Sequence, residues 1–345
     1  MDSLTQACLG ALIGAVGAPA AQRRRGMLYG AALGTLPDLD VLIPYANPVD
    51  ALVQHRSFSH SLFVLTLLAP VLHWLCARFD RALKDTAAAW RLLFLLALIT
   101  HPLLDWFTSY GTQLLWPFDR TPYALASIFI IDPMVTLPML LALIWVARAP
   151  RLPAILASYV ALAWSCLYLV FGLLAQQLIR QRVEASLALE EAVEERAIFV
   201  SAAPFTGLLW RVVVREPTLF REGYVSLWAD AGPQWRSFES LDLTERYLRN
   251  SEDFAKLQYF SDGFYWLWSD GSQLLYSDLR MGSMPRFVFN YALAEFEQGA
   301  WKSTPARQLP MQRPSLSALP WIFQRIYTPA EELPPADQIV QGSAQ

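Results

Sequence analysis

No glutamate precedes Glu184 in this chain of 345 residues, so all nine acidic residues before that point are aspartates. Charge is scarce overall, with 17% of residues Asp, Glu, Lys or Arg against 54% hydrophobic. That balance argues against a purely soluble enzyme of this size. Cysteine is nearly missing too. Cys8, Cys76 and Cys166 each sit in an apolar stretch with no CxxC pair, which argues against a disulfide framework or a thiolate zinc site and leaves packing as their expected role. The formal net charge is only -3, so neither a nucleic-acid binder nor an acidic tail protein is expected.

What charge there is falls unevenly. Residues 1–179 hold 11 Lys and Arg with 9 acidic residues, and 180–345 hold 16 and 21. The first part reads as membrane and the second as solvated. Apolar runs recur at Leu4–Ala21, Met27–Ala46, Phe58–Ala77, Ala87–Phe107, Ala126–Ala147 and Leu152–Ile179, each near the ~20 residues that a bilayer-crossing helix needs. Five to six apolar helices are therefore expected. The first two runs are the weakest, one rich in Ala and Gly and the other carrying Asp38 and Asp40. No basic stretch precedes Leu4, which argues against a cleaved signal peptide. Basic residues follow the first, third and fifth runs: Arg23–Arg25, then Arg78, Arg81 and Lys84, then Arg148 and Arg151. The positive-inside rule puts these loops in the cytoplasm and loops 47–57 and 109–125 outside it. With six spans the C-terminal part also emerges outside, although Arg180 and Arg182 argue mildly against that.

The remainder divides into an extramembrane domain, 180–302, and a Pro-rich tail, 303–345. An acidic linker helix is expected over Glu184–Arg196, with Val183, Leu187, Ala188 and Glu191 as its thin stripe. Strand patterns follow at Arg211–Arg215, Tyr224–Trp228, Lys256–Phe260, Phe264–Trp268 and Gln273–Ser277. Asp262-Gly263 and Asp270-Gly271 between the last three predict an antiparallel meander. The aromatics Phe264, Tyr265, Trp266 and Trp268 are expected to pack a sheet. The tail from Ser303, with Pro305, Pro310, Pro314, Pro320, Pro329, Pro334 and Pro335, reads as extended or partly disordered. The fold class is thus an α-helical polytopic membrane domain, 1–179, followed by a β-rich α+β domain.

Three of the four histidines fall in short polar islands beside apolar runs: Gly34–Asp40, His55–Ser61 and His101–Asp105. Together these supply Asp38, Asp40, His55, His60, His101 and Asp105. A divalent cation such as zinc takes that mixture of imidazole nitrogen and carboxylate oxygen. His101 and Asp105 are i and i+4, on one helix face. Asp38 and Asp40, i and i+2 after Pro37, can reach one ion or two neighbouring ions from an extended or turn segment. Six such groups beside apolar spans are costly to keep unpaired. Each also has a plainer role: Pro37-Asp38 as a turn or N-cap, and Asp105 as a partner of Arg56. Asp132 is either a further ligand, a carboxylate orienting an imidazole, or an N-cap before Pro133. Arg56 can hold an anion or pair with a ligating aspartate. His73, with no acidic neighbour, reads as an interfacial or core residue.

In this order the islands resemble the YdjM family of bacterial inner-membrane proteins. The similarity runs from Met1-Asp2-Ser3-Leu4-Thr5-Gln6 to about Pro138 and includes Thr108-Ser109-Tyr110-Gly111-Thr112 and Trp116-Pro117-Phe118. It implies a multi-pass protein of the bacterial inner membrane, metal-dependent hydrolysis, and Asp38, Asp40, His55, His60, His101 and Asp105 as metal residues. Two departures matter: Gln6 stands where some relatives have His, and Ser57 where the second island usually has Gly. Gln6 becomes a residue supporting the ligands.

The leading expectation is a hydrolase with one or two zinc ions at the extracytoplasmic membrane surface, acting on a phosphoester or lipid-linked substrate. In it, Asp40 or Asp105 takes the water proton and Arg56 stabilises negative charge. Two alternatives stand beside it. One is a non-enzymatic membrane protein with a structural metal and a β-rich domain that binds a protein partner. The other is a metal-ion or proton-coupled transporter, which the clustering of polar residues at one face disfavours.

Overall fold

The computed structural model describes residues 1–149, 151–190, 195–242, 247–311 and 316–333. The chain forms two compact units. The first comprises Met1–Pro44, Gln54–Gly172 and Pro204–Thr206; the second comprises Tyr45–Val53, Leu173–Ala203 and Gly207–Gln345.

The first unit is helical. Asp2 caps α1 (Ser3–Gly17) by accepting the amides of Leu4 and Thr5. Helix α2 (Arg23–Thr35) runs back along it with glycine against glycine. A Cβ on Gly10 would lie 2.1 Å from the Gly30 oxygen, and one on Gly30 2.0 Å from the Gly10 oxygen. Pro37 then opens a 3-10 helix, Pro37–Leu42. Helix α3 (Pro48–Gln54) lies almost wholly in the segment assigned to the second unit. A second 3-10 turn, Phe58–His60, leads into α4 (Leu62–Phe79), capped by Ser61. The short α5 (Ala82–Asp85) precedes α6 (Ala87–Trp106). Helix α7 (Pro133–Arg148) starts at a proline with Asp132 as its cap, and α8 (Leu152–Leu187) ends the unit and continues beyond it. Leu65, Ala69, Trp90, Phe94 and Leu98 fill the seam of α4 and α6; Leu12, Leu104, Val135 and Met139 fill that of α1, α6 and α7.

Among the described residues, three helices are long and apolar enough to cross a membrane: α4, α6 and α8. The other predicted runs form shorter helices. In α1 the helix stops at Gly17, α2 begins on three arginines and ends ahead of Pro37, and the Ala126–Ala147 run becomes helical only at Pro133. At about 1.5 Å per residue the 36 residues of α8 reach well past a ~30 Å hydrocarbon core. The first part of the expected linker helix is therefore a continuation of α8, with Val183 and Leu187 buried, while Glu191 lies outside the described residues.

Among its described residues the second unit holds two four-stranded antiparallel sheets and a small ribbon. The first sheet takes β1 (Ala197–Ala202), β2 (Leu209–Glu216), β3 (Leu219–Ser226) and β4 (Arg236–Glu239) in sequence order. Val212, Val213 and Val214 are all buried, so β2 is covered on both faces. Where a strand was expected at Lys256–Phe260 the chain forms α9 (Glu252–Phe260). Ser251 caps it, Glu252 and Asp253 occupy its first turn, and Phe254, Leu257 and Phe260 are buried at helical spacing. The Asp262-Gly263 turn accordingly joins a helix to β5 (Tyr265–Ser269), and only Asp270-Gly271 makes a hairpin, to β6 (Gln273–Asp278). After the ribbon β7 (Gly282–Ser283) and β8 (Arg286–Phe287), β9 (Asn290–Glu297) and β10 (Ala300–Gln308) complete the second sheet, in order β10-β9-β6-β5. The tail is more ordered than its prolines suggested. Ser303 and Pro305 lie within β10, and Pro320 sits in the first turn of α10 (Leu319–Tyr327), which buries Trp321, Ile322 and Ile326. Pro314, Pro334 and Pro335 lie outside the described residues. The aromatics pack: Trp266 and Trp268 stack at 5.1 Å, and Phe264 and Tyr265 are buried. Arg182 donates to the carbonyls of Ser226, Leu227 and Asp230, which gives this arginine a role inside the unit.

Candidate metal centre

Antiparallel packing of α4 and α6 brings the start of one beside the end of the other. His73, far along α4, touches Phe94 in α6, whereas His60, just ahead of α4, faces His101 near the end of α6. The 3-10 helix after α2 adds Asp38. Among the described residues, Asp38, His60, His101 and Asp105 form a group whose ligand atoms converge. His60 Nε2 lies 3.1 Å from His101 Nε2, 3.4 Å from Asp38 Oδ1 and 3.3 Å from Asp105 Oδ2. His101 Nε2 lies 3.4 Å from each of the same two oxygens. Zinc with ligands at about 2.0–2.1 Å in a tetrahedron separates them by about 3.3–3.4 Å.

The hydrogen bonds around the group fix which nitrogen faces inward. His101 Nδ1 is 2.6 Å from the Gly34 carbonyl, which can only accept, so Nδ1 carries the proton. Ser59 donates to Asp40 Oδ2 at 2.6 Å and thereby accepts from His60 Nδ1 at 2.9 Å. Both Nε2 atoms then turn lone pairs toward two carboxylate oxygens. Asp105 Oδ2 is buried without a hydrogen bond, although Arg56 Nε lies 3.2 Å from it as an ion pair. Four acceptors converging in a desolvated space fit a divalent cation, which is what the donor chemistry of two imidazoles and two carboxylates suits.

Around this group stands a supporting ring. Asp105 is fully buried and takes the Met1 amine, Gln6 Nε2 at 3.0 Å and the Arg56 guanidinium at 3.2 Å. Gln6 also donates to the His101 carbonyl. Asp40 faces away from the four: its oxygens accept His55 Nδ1 at 2.8 Å, the Arg56 amide at 3.0 Å and Ser59. His55 is partly exposed beside it. Arg56 donates to Thr108 Oγ1 and lies over the Tyr110 ring, whose edge also meets His55. In this turn the left-handed residue is Arg56, at φ 62, while Ser57, which stands where the second island usually has Gly, has a negative φ of -94. Gly111 does need to be glycine: its φ is 101, and a Cβ there would lie 2.8 Å from the Pro122 carbonyl. That close approach holds the loop carrying Tyr110.

Asp132 stands apart. Its oxygens cap α7 at Met134 and accept the Tyr168 hydroxyl at 3.0 Å. His73 likewise sits in the α4–α6 seam beside the Leu83 carbonyl. Ser59, Thr108 and Tyr110 are site residues that the sequence did not single out individually, although Tyr110 falls in the Thr108–Thr112 stretch.

Burial alone would raise the Asp38 carboxyl pKa, but when no cation is held and the facing Nε2 atoms carry protons, hydrogen bonds from His101 and His60 outweigh it and hold it below the ordinary range. Asp40 is lowered in the same way, burial being outweighed by His55, Ser59 and the Arg56 amide. Both aspartates therefore stay ionised at neutral pH. A Ser59→Ala variant removes the acceptor that sets the His60 tautomer and is expected to weaken zinc affinity by about 10–100-fold. Competition against a zinc chelator checks this, and unchanged affinity would show that Ser59 does not orient His60.

The YdjM inner membrane protein family matches residues 1–179, which include every member of this group. A curated relative, the uncharacterized protein YfhP of Bacillus subtilis (strain 168), is 25% identical over 232 residues, covering 65% of this chain and 68% of its own. No solved structure matches the chain. The family match takes in over half the chain and all four converging ligands, and on that ground the protein belongs to the YdjM family of inner membrane proteins.

Proposed function

We propose that the protein is a membrane-bound metal-dependent hydrolase whose ion, zinc in our reading, is held by Asp38, His60, His101 and Asp105. The observation that carries this is a pair of imidazole nitrogens 3.1 Å apart, each 3.3–3.4 Å from the same two carboxylate oxygens, in a buried site. When bound, such a cation supplies Lewis acidity and a water of lowered pKa. The chain's own groups do the rest. Asp38, with 18% of its side chain exposed, marks the open edge of the group. His55, 22% exposed and oriented by Asp40, is the nearest proton carrier at that edge, or a ligand with Asp40 to a second ion. Arg56 is engaged by Asp105 and Thr108, which favours the ion-pair role over holding an anion.

The charge distribution supports an extracytoplasmic site and C-terminal part in a multi-pass arrangement. We take 1–179 as the membrane domain that carries the site, 180–302 as the extramembrane domain, and 303–345 as its continuation. One observation favours a structural ion in place of a catalytic one: four protein donors saturate a tetrahedral cation.

Hydrolysis of bis-p-nitrophenyl phosphate and p-nitrophenyl butyrate by zinc- or manganese-loaded protein decides between them. Turnover that disappears in a His60→Ala, His101→Ala variant is expected. Full metal content with no turnover on either probe would favour the structural ion.

A further inference from the structure

The residues that carry the site inward also present a hydrophobic face outward. On the 3-10 helix Pro37–Leu42, Asp38 meets His60 and His101 and Asp40 meets His55 and Ser59, while Leu39, Val41 and Leu42 are exposed, Leu42 by 75%. Ile43 continues the patch. A cluster of exposed apolar side chains beside a polar site is costly in water and marks a contact surface.

A second apolar surface reaches the same site from the helices. The outward stripe of α4 runs through Phe63, Leu67, Val71 and Trp74, at helical spacing, and its first member lies three residues beyond His60. The stripe does not end with the helix. Phe63 packs edge-on against Phe118, which is 80% exposed, and Phe58 meets Trp116. Ser61 and Leu62 are hydrogen-bonded to the Trp116 and Leu114 carbonyls, so this loop is fastened to the start of α4. The lipid-facing side of a membrane-crossing helix thus continues onto the loops at the site.

We propose that Leu39, Val41, Leu42, Phe58 and Phe118 lie in the bilayer interface and that the metal group takes a membrane lipid as its substrate, the acyl chains staying in the bilayer while the headgroup reaches Asp38. This rests on the hydrolase reading above. Water adds across the headgroup bond, its hydroxyl going to one product and its proton to the other, so no further reactant is needed. Continuity with the face of α4 is what selects lipid over a second copy of the chain.

Two measurements test it. Full-length protein without its native cysteines is spin-labelled at Leu42→Cys or Phe118→Cys in bilayers of phosphatidylethanolamine and phosphatidylglycerol in equal parts. Leu67→Cys serves as the lipid reference and Ser237→Cys, exposed on β4, as the aqueous one. Labels that meet oxygen more readily than a water-soluble nickel chelate, as at Leu67, are expected. Accessibility like that of Ser237, or spin–spin broadening between copies, would overturn the interfacial placement. Second, a Leu42→Asp, Phe118→Asp variant is expected to release lipid headgroup about tenfold more slowly than wild type while cleaving soluble bis-p-nitrophenyl phosphate at the wild-type rate. Wild-type cleavage of the soluble probe with no attack on the bilayer would overturn the lipid substrate alone. Cleavage of neither by metal-loaded protein would overturn the hydrolase reading, leaving the label depths to judge the surface.

Discussion

An Asp105→Ala variant is expected to lose about 3–5 kcal/mol of stability, the range for breaking a buried charge pair from one side. The side chain is wholly buried and serves three cations or donors at once: the Met1 amine, Gln6 and Arg56. Deleting it leaves the Arg56 guanidinium, 3% exposed, with Thr108 and the Tyr110 ring but no counter-charge. It also removes one of the four proposed metal donors, so the loss is expected to grow when metal is present during unfolding, because binding energy no longer adds to the folded state. Chemical unfolding in detergent, with and without zinc, measures both parts. A change below about 1 kcal/mol would mean that Arg56 is neutralised by some other group.

The second large effect lies away from the ligands. Replacing Gly30 with Ala puts a Cβ 2.0 Å from the Gly10 oxygen, and both partners are helix backbone that cannot rotate aside. Helices α1 and α2 must then separate, at a cost of about 3 kcal/mol or more, whereas Leu28→Ala on the exposed side of α2 should stay within about 0.5 kcal/mol. The site should feel the shift. Helix α1 carries Gln6 to Asp105, and the end of α2 offers the Gly34 carbonyl that sets the His101 tautomer. Weaker zinc binding together with a lower melting temperature is expected. Wild-type melting would show that the two helices are free to move apart.

Part of the candidate site was legible in residue spacing. His101 and Asp105 share a helix face because i and i+4 always do, and apolar surroundings made six polar groups conspicuous. The division of labour between Asp38 and Asp40 was less visible. In an extended segment both would reach one ion, but Pro37 starts a 3-10 helix with three residues per turn, so positions i and i+2 diverge. Asp38 therefore meets His60 and His101 while Asp40 meets His55 and Ser59. Hydroxyl partners such as Ser59 and Thr108 carry no spacing signal of their own. In the fold, the aromatics of Lys256–Phe260 suit a strand, but the Ser251 cap and the acids Glu252 and Asp253 after it start a helix there. Apolar runs exceed the helices they contain because prolines bound them: α1 stops ahead of Pro19, α2 ahead of Pro37, and α7 begins at Pro133.

Metal content tests the centre most directly. Full-length protein purified in detergent without added metal, wild type beside a His60→Ala, His101→Ala double variant and a His73→Ala control, is analysed by plasma mass spectrometry. About one zinc or manganese per chain is expected in the wild type and the control, with less than a tenth of that in the double variant. Equal metal in all three, or none in a wild type that also fails to take up added zinc, would contradict the site.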